Sequence, residues 1–183
     1  MGMPKEIIVP ASSEMFDART NTFFSTKETT IVIEHSLLSI SKWESKWHKP
    51  FLGKDQKTTE EVIDYIRCMT INKVDPKIYY SLTQQNIVDV TNYIDDPMTA
   101  TWFKEDENKA PSREIVTSEV IYYWMIAAGI PFECEKWHLN RLITLIRVFN
   151  EKNKPKKKGM SSHDLASRRA LNNARRKALH TTG

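Results

Sequence analysis

Between residues 36 and 150 the chain repeats one pattern: a helix-starting residue, then apolar side chains three and four apart, then a stop signal. Thr58 and Glu61 form the reciprocal pair that satisfies the first free N–H groups of a helix, and Val62, Tyr65, Ile66 and Met69 follow at i, i+3, i+4 and i+7. Such spacing commits this stretch to amphipathic helices that bury one face. Ser36 is the expected cap of an earlier helix carrying Leu37, Ile40, Glu44 and Trp47 on one face with Trp43 beside them, stopped by Lys49-Pro50. Asp75-Pro76 opens a short turn through Tyr80, and Thr83 caps a segment with Ile87, Val90, Thr91 and Ile94 that Asp95-Asp96-Pro97 closes. Two more helices are expected, over residues 117–128 with Gly129 just past the end, and over residues 133–150 with a stripe of Leu139, Leu142, Ile143, Ile146 and Phe149.

The ends of the chain read differently. Residues 5–9 and 29–34 are β-branched and suit two strands that pair as a small ribbon, while residues 11–26, rich in Ser and Thr around Phe16, Phe23 and Phe24, read as a loop that docks on something. Residues 104–112 read as a charged loop. A basic stretch with Pro155 and Gly159 ends the body, and Ser162 starts a last helix whose apolar content is mostly Ala166, Ala170, Ala174 and Ala178 with Leu165, Leu171 and Leu179. The expected fold is mainly α: a helical bundle (36–154) with a small N-terminal β element (1–35) and a basic C-terminal helical arm (155–183). No internal repeat stands out.

Length and composition narrow the class. At 183 residues, 40% hydrophobic and 27% charged with five Gly and eight Pro, the chain fits one domain plus an extension and not a collagen-like or low-complexity chain. The net charge of +4 hides an asymmetry, because residues 155–183 hold eight Lys or Arg against one acid while residues 1–154 hold 19 against 22. The body is therefore about −3 and the arm about +7. The first six residues lack the pattern of an export leader, and the longest apolar run, residues 120–130, is 11 residues where a membrane span needs about 20. Cys68 and Cys134 stand 66 positions apart with no CxxC, so both are expected to be free thiols in a reducing cytoplasm.

Catalytic patterns are missing one after another. Glycines at 2, 53, 129, 159 and 183 cannot form a phosphate-cradling loop, and there is no HExxH, GxSxG or kinase signature. Cys134 and His138 at i, i+4 could supply two metal ligands, but no second pair accompanies them. Glu44-x-Lys46 lacks the strand-borne aspartate of a nuclease site. Acid pairs such as Glu60-Glu61 and Asp95-Asp96 sit where helix starts and turns want them. The reading is a protein without enzymatic activity, cofactor or metal.

Two features point to partners. Arg168, Arg169, Arg175, Arg176 and Lys177 in the arm can meet an acidic protein groove or follow a phosphate backbone, although the arm has no aromatic residue for base stacking. Aromatic residues are in surplus: Trp43, Trp47, Trp102 and Trp137 are large anchors for a core or an interface. Residues 120–126 (Val-Ile-Tyr-Tyr-Trp-Met-Ile) are apolar around nearly the whole helix, which places it centrally or leaves a second face for a partner. Trp43, Trp47 and Trp137 join the arm residues as the candidate partner-binding set.

Three stretches together carry a resemblance: Ser36-Leu-Leu-Ser-Ile-Ser-Lys-Trp-Glu-Ser-Lys-Trp-His-Lys-Pro-Phe-Leu52, Asp96-Pro-Met-Thr-Ala-Thr-Trp102 and Ile130-Pro-Phe-Glu-Cys-Glu-Lys-Trp-His-Leu-Asn-Arg-Leu142. With the closing Ser167-Arg-Arg-Ala-Leu-Asn-Asn-Ala-Arg-Arg-Lys177, they resemble tail-region proteins of tailed bacteriophages, of the kind called tail assembly chaperones. The resemblance implies a non-enzymatic helical protein, made in the cytoplasm of the infected bacterial host, that binds the tape measure protein and recruits tail tube subunits. The basic arm equally suits a structural component kept in the virion at the neck, baseplate or tail. A nucleic-acid-binding accessory protein acting through the arm is the third reading, and a homo-oligomer stays open.

Overall fold

The computed structural model describes residues 3–17, 21–103, 114–154 and 162–179. They divide into two compact units, Met1–Asn150 and Glu151–Gly183. The expected loop at 104–112 and most of the basic boundary before Ser162 lie outside the described residues.

The first unit opens with four strands, β1 (Lys5–Val9), β2 (Ser12–Asp17), β3 (Thr22–Thr26) and β4 (Thr29–Ile33). β1 pairs antiparallel with β4 in the register Lys5↔Ile33, Ile7↔Ile31 and Val9↔Thr29, as the β-branched runs suggested. Alternation puts Ile7, Val9, Ile31 and Ile33 inward, where all four are buried, while Ile8 faces out. On its other side β4 is met by residues just past α2 (Thr59–Met69): Ile71 N–H donates to Val32 O, Glu34 N–H to Met69 O, and Asn72 takes Val32 N–H on Oδ1 while donating to Thr30 O.

The segment expected to be loop is instead a second two-stranded sheet, β2 with β3, carrying an irregularity in register between Ser12 and Met15. It still docks: Thr26 Oγ1 lies 2.6 Å from Ser81 Oγ, and the rings of Phe24 and Tyr80 are 5.9 Å apart. A pure helical bundle with one small β element is therefore wrong, and the fold is mixed, largely helical with two antiparallel two-stranded sheets. Phe16 and Phe23 point outward as a cross-strand pair, their centroids 5.1 Å apart, which erases from the sequence the apolar-in, polar-out alternation that marks a strand.

The helices follow their start signals closely. α1 (Leu37–Trp47), α2 and α3 (Gln84–Asp95) begin after Ser36, Thr58 and Thr83, each with both halves of a capping box formed. A 3₁₀ turn at Pro76–Ser81 precedes α3. α4 (Ser118–Ala127) ends before Gly129, whose φ of +63° is left-handed backbone that glycine adopts without strain. Their inward faces share one core of Leu37, Ile40 and Trp43 with Ile66, Met69, Val90, Ile121 and Met125, which Leu139 and Leu142 from later in the chain join, each aliphatic side chain worth about 1.5 to 3 kcal/mol of burial.

The helix expected over residues 133–150 is broken. Phe132–Lys136 is a 3₁₀ turn, Trp137 is extended, and α5 (Leu139–Asn153) starts afresh. His138 lies across from Ser36 in an isolated antiparallel bridge, and Leu139 N–H donates to His35 O at 2.8 Å. The stripe from Leu139 onward has the same period with or without the break, so the sequence pattern could not reveal it. The second unit holds α6 (Ser162–Leu179), the expected basic helix.

Candidate functional site

The candidate tryptophans separate by environment. Trp43 is a core residue and not an exposed anchor: it is 1% exposed, its indole N–H donates to Glu61 O at 2.9 Å, and Phe51 packs edge-on 5.2 Å away. Trp47 is half-buried, and its N–H donates to Asp64 Oδ2 at 2.9 Å while Lys46 Nζ bonds the other oxygen. Trp137 is half-buried on the far side of the helix break, with the Arg141 guanidinium 4.4 Å from its ring centre. Trp47 and Trp137 thus keep a face that a partner could meet, whereas Trp43 does not. Trp102, left outside the candidate set, is the most exposed of the four.

The acids flanking these rings act structurally. Glu44, set by helical spacing on the inner face of α1, is buried and uses both oxygens: Oε1 accepts Phe51 N–H and Oε2 accepts Ser118 N–H, each at 2.7 Å. Thr117, in the cap position of α4, makes no side-chain cap bond, so a carboxylate from α1 occupies the positive end of α4 in its place. Asn140 does the converse at the end of α3, donating to Ile94 O and Asp96 O. Glu61 completes its own capping box and binds Lys49, and that ammonium, with the Thr58 backbone, holds its carboxyl below the usual carboxylate range. With Glu44 capping α4 and Lys46 paired to Asp64, the Glu44-x-Lys46 pair is structural.

A buried polar cluster joins β4, α2, α3 and the start of α5. His35 Nδ1 lies 2.5 Å from the Tyr65 hydroxyl, the two histidine rings of His35 and His138 are 5.0 Å apart, and the Tyr93 hydroxyl donates to Met3 O. His138 Nε2 faces Tyr93 O at 3.0 Å; a carbonyl only accepts, so that nitrogen carries the proton, and buried Nδ1 has no partner among the described residues. Burial, and the neighbouring His138, push the His35 pKa down to about 3, and burial lowers that of His138 against the Tyr93 hydrogen bond and Asp96. Both histidines are neutral packing groups at neutral pH. Cys134 and His138 no longer share a helix face, and among the described residues no group of three or more His, Cys, Asp or Glu could hold a metal ion. Both cysteines are free thiols whose pKa values burial raises.

Among the cavities lined by described residues of the first unit, two carry aromatic or apolar walls. One of about 540 Å³ lies between the β2–β3 sheet, α2 and the 3₁₀ turn, with Phe16, Phe24, Tyr79 and Tyr80 as walls and Lys46, Asp64 and Arg67 at its polar side. The other, of about 760 Å³, is mostly apolar and lined by Leu52, Ile115, Val116, Trp124 and Ile143. No helix among the described residues is long and apolar enough to cross a membrane.

The arm residues lie together on α6. At about 100° per residue, Arg168, Arg169, Arg175 and Arg176 fall within about 120° of arc, and Ala166, Ala170, Ala174 and Ala178 occupy the opposite side with Lys177 among them. All five basic side chains are exposed, as are Leu165, Leu171 and Leu179. Comparison of the chain with protein families, with curated proteins and with solved structures finds no match.

Proposed function

We propose that this chain is a non-enzymatic morphogenesis protein of a tailed bacteriophage, acting in the cytoplasm of the infected host by binding other tail proteins, the tape measure and tail tube among them. The observation that carries this reading is α6, an 18-residue helix with its arginines gathered on one face and its leucines exposed. With its leucines exposed, such a helix has little burial to offset an ordering cost of about 1 to 2 kcal/mol per residue, and gains order from a partner that covers it. The half-buried Trp47 and Trp137 supply further contact area, and the sequence resemblance supplies the phage setting.

Pull-down with the tape measure protein, together with protein detection in purified particles, tests the reading. Capture of the tape measure by the full-length chain, and absence of the chain from finished particles, is the expected result. Presence at fixed copy number in particles would make it a structural component of the tail, neck or baseplate. The arginine face also fits a phosphate backbone, and tight binding to duplex DNA of any sequence with a steep salt dependence would move the function to nucleic acid.

A further inference from the structure

α4 is apolar on two sides, and among the described residues only one is buried. Ile121 and Met125 are fully buried, whereas Tyr123 is 67% and Ile126 62% exposed, and Phe132 on the following 3₁₀ turn is 57% exposed. Residues 119, 122, 123 and 126 stand at i, i+3, i+4 and i+7, one continuous outer face, and the Phe132 ring lies 6.3 Å from that of half-buried Tyr122. Solvent-facing tyrosine, isoleucine and phenylalanine gathered in this way mark an interaction surface.

The charge around it is net negative. Glu119 in the first turn of α4 and Glu133 on the 3₁₀ turn are exposed, and Glu135 accepts the Tyr122 hydroxyl at 2.7 Å. Burial pushes the pKa of that hydroxyl above the ordinary tyrosine range, and the hydrogen bond to Glu135 with the charges of Glu135 and Glu119 pushes it the same way. Lys136 is the sole base on the 3₁₀ turn, leaving these four charged groups at a net −2. A second copy meeting the same face would bring acids against acids. A helix with an apolar stripe flanked by Lys or Arg would bring opposite charge and cations that can stack on tyrosine.

We propose that the outer face of α4, with Tyr123, Ile126 and Phe132 at its centre and Glu119 and Glu133 at its rim, docks a basic amphipathic helix of another protein. The surface lies wholly within residues 1–150, so it stands independently of any role of the arm and of the phage setting.

The probe is a fluorescein-labelled helical peptide with leucines on one face and arginines on both flanks, titrated with the full-length protein and followed by anisotropy. Saturable binding is expected. Tyr123→Ala with Ile126→Ser should weaken it about tenfold or more, and Glu119→Lys with Glu133→Lys should weaken it about tenfold and blunt its salt dependence. Tyr123→Ala with Ile126→Ser alters exposed side chains and should melt as the wild type does; Glu119→Lys also removes a carboxylate that bonds the first turn of α4, so Glu133→Lys alone, on the exposed 3₁₀ turn, is titrated beside the double variant and should weaken binding with an unchanged melt. Absence of saturable binding, or affinity unchanged in both variants, would overturn the proposal. So would self-association of the wild-type chain that Tyr123→Ala with Ile126→Ser abolishes, because a second copy would then occupy the face.

Discussion

Residues 1–150 and α6 are both largely helical, yet their helices are held in opposite ways. In the first, α1, α2 and α3 carry complete capping boxes, α4 takes its cap from Glu44, and the apolar stripes meet in a shared core. In α6 every leucine is exposed and the charged face carries four arginines. The body ties its helix ends to one another across the chain; the arm carries its leucines and arginines exposed. On the proposed function, that difference is the one between a scaffold and a contact element.

The largest expected effect tests the tie between α1 and α4. Glu44→Ala leaves the buried Phe51 and Ser118 N–H groups without their acceptor, and at about 1 to 3 kcal/mol for each the body should lose about 3 kcal/mol, read as a lowered denaturation midpoint with unchanged slope. Glu44→Gln keeps one acceptor oxygen and should lose less.

Acid should act next. His35 is neutral in the fold, with a pKa of about 3 against an ordinary 6.5, so between those limits the unfolded chain takes up a proton that the folded chain refuses. Stability is unaffected above pH 6.5 and falls on descending below it, by about 1 kcal/mol per pH unit for this group. His138, lowered in the same direction, adds to the slope. Urea titrations between pH 7 and 4 should show it, and His35→Gln should flatten it.

The local cap of α2 is worth less. Thr58→Ala should cost about 1 kcal/mol, since it removes the acceptor for Glu61 N–H. Thr117→Ala at the start of α4 should cost under about 0.5 kcal/mol, because Thr117 makes no side-chain cap bond there. Equal losses at the two threonines would break the contrast between a helix capped by its own residue and one capped from elsewhere.

That contrast also explains what the sequence could show. The starts at Ser36, Thr58 and Thr83 were legible because cap and partner lie three residues apart. Glu44 was legible as a member of the inner face of α1 but not as the cap of α4, because its partner, Ser118, is 74 residues away. The β2–β3 sheet was hidden by its outward phenylalanines, and the break at Trp137 and His138 by a helical stripe that continues beyond it. At the candidate site the arginines of α6 were legible as a basic cluster, while their gathering on one face was not read from the sequence. The aromatic surplus did not sort itself, since helical spacing gave Trp43 and Trp47 adjacent positions while packing buried the first and left the second half-open.

The central claim, that α6 is a contact element for a protein partner, is tested most directly by charge reversal at its arginine face. Full-length chain with Arg168, Arg169, Arg175 and Arg176 changed to Glu, titrated against the tape measure protein beside wild type, should bind at least about tenfold more weakly and lose the salt sensitivity of the wild-type complex, with the body's melting transition unchanged. Undiminished binding by the reversed chain would contradict the account.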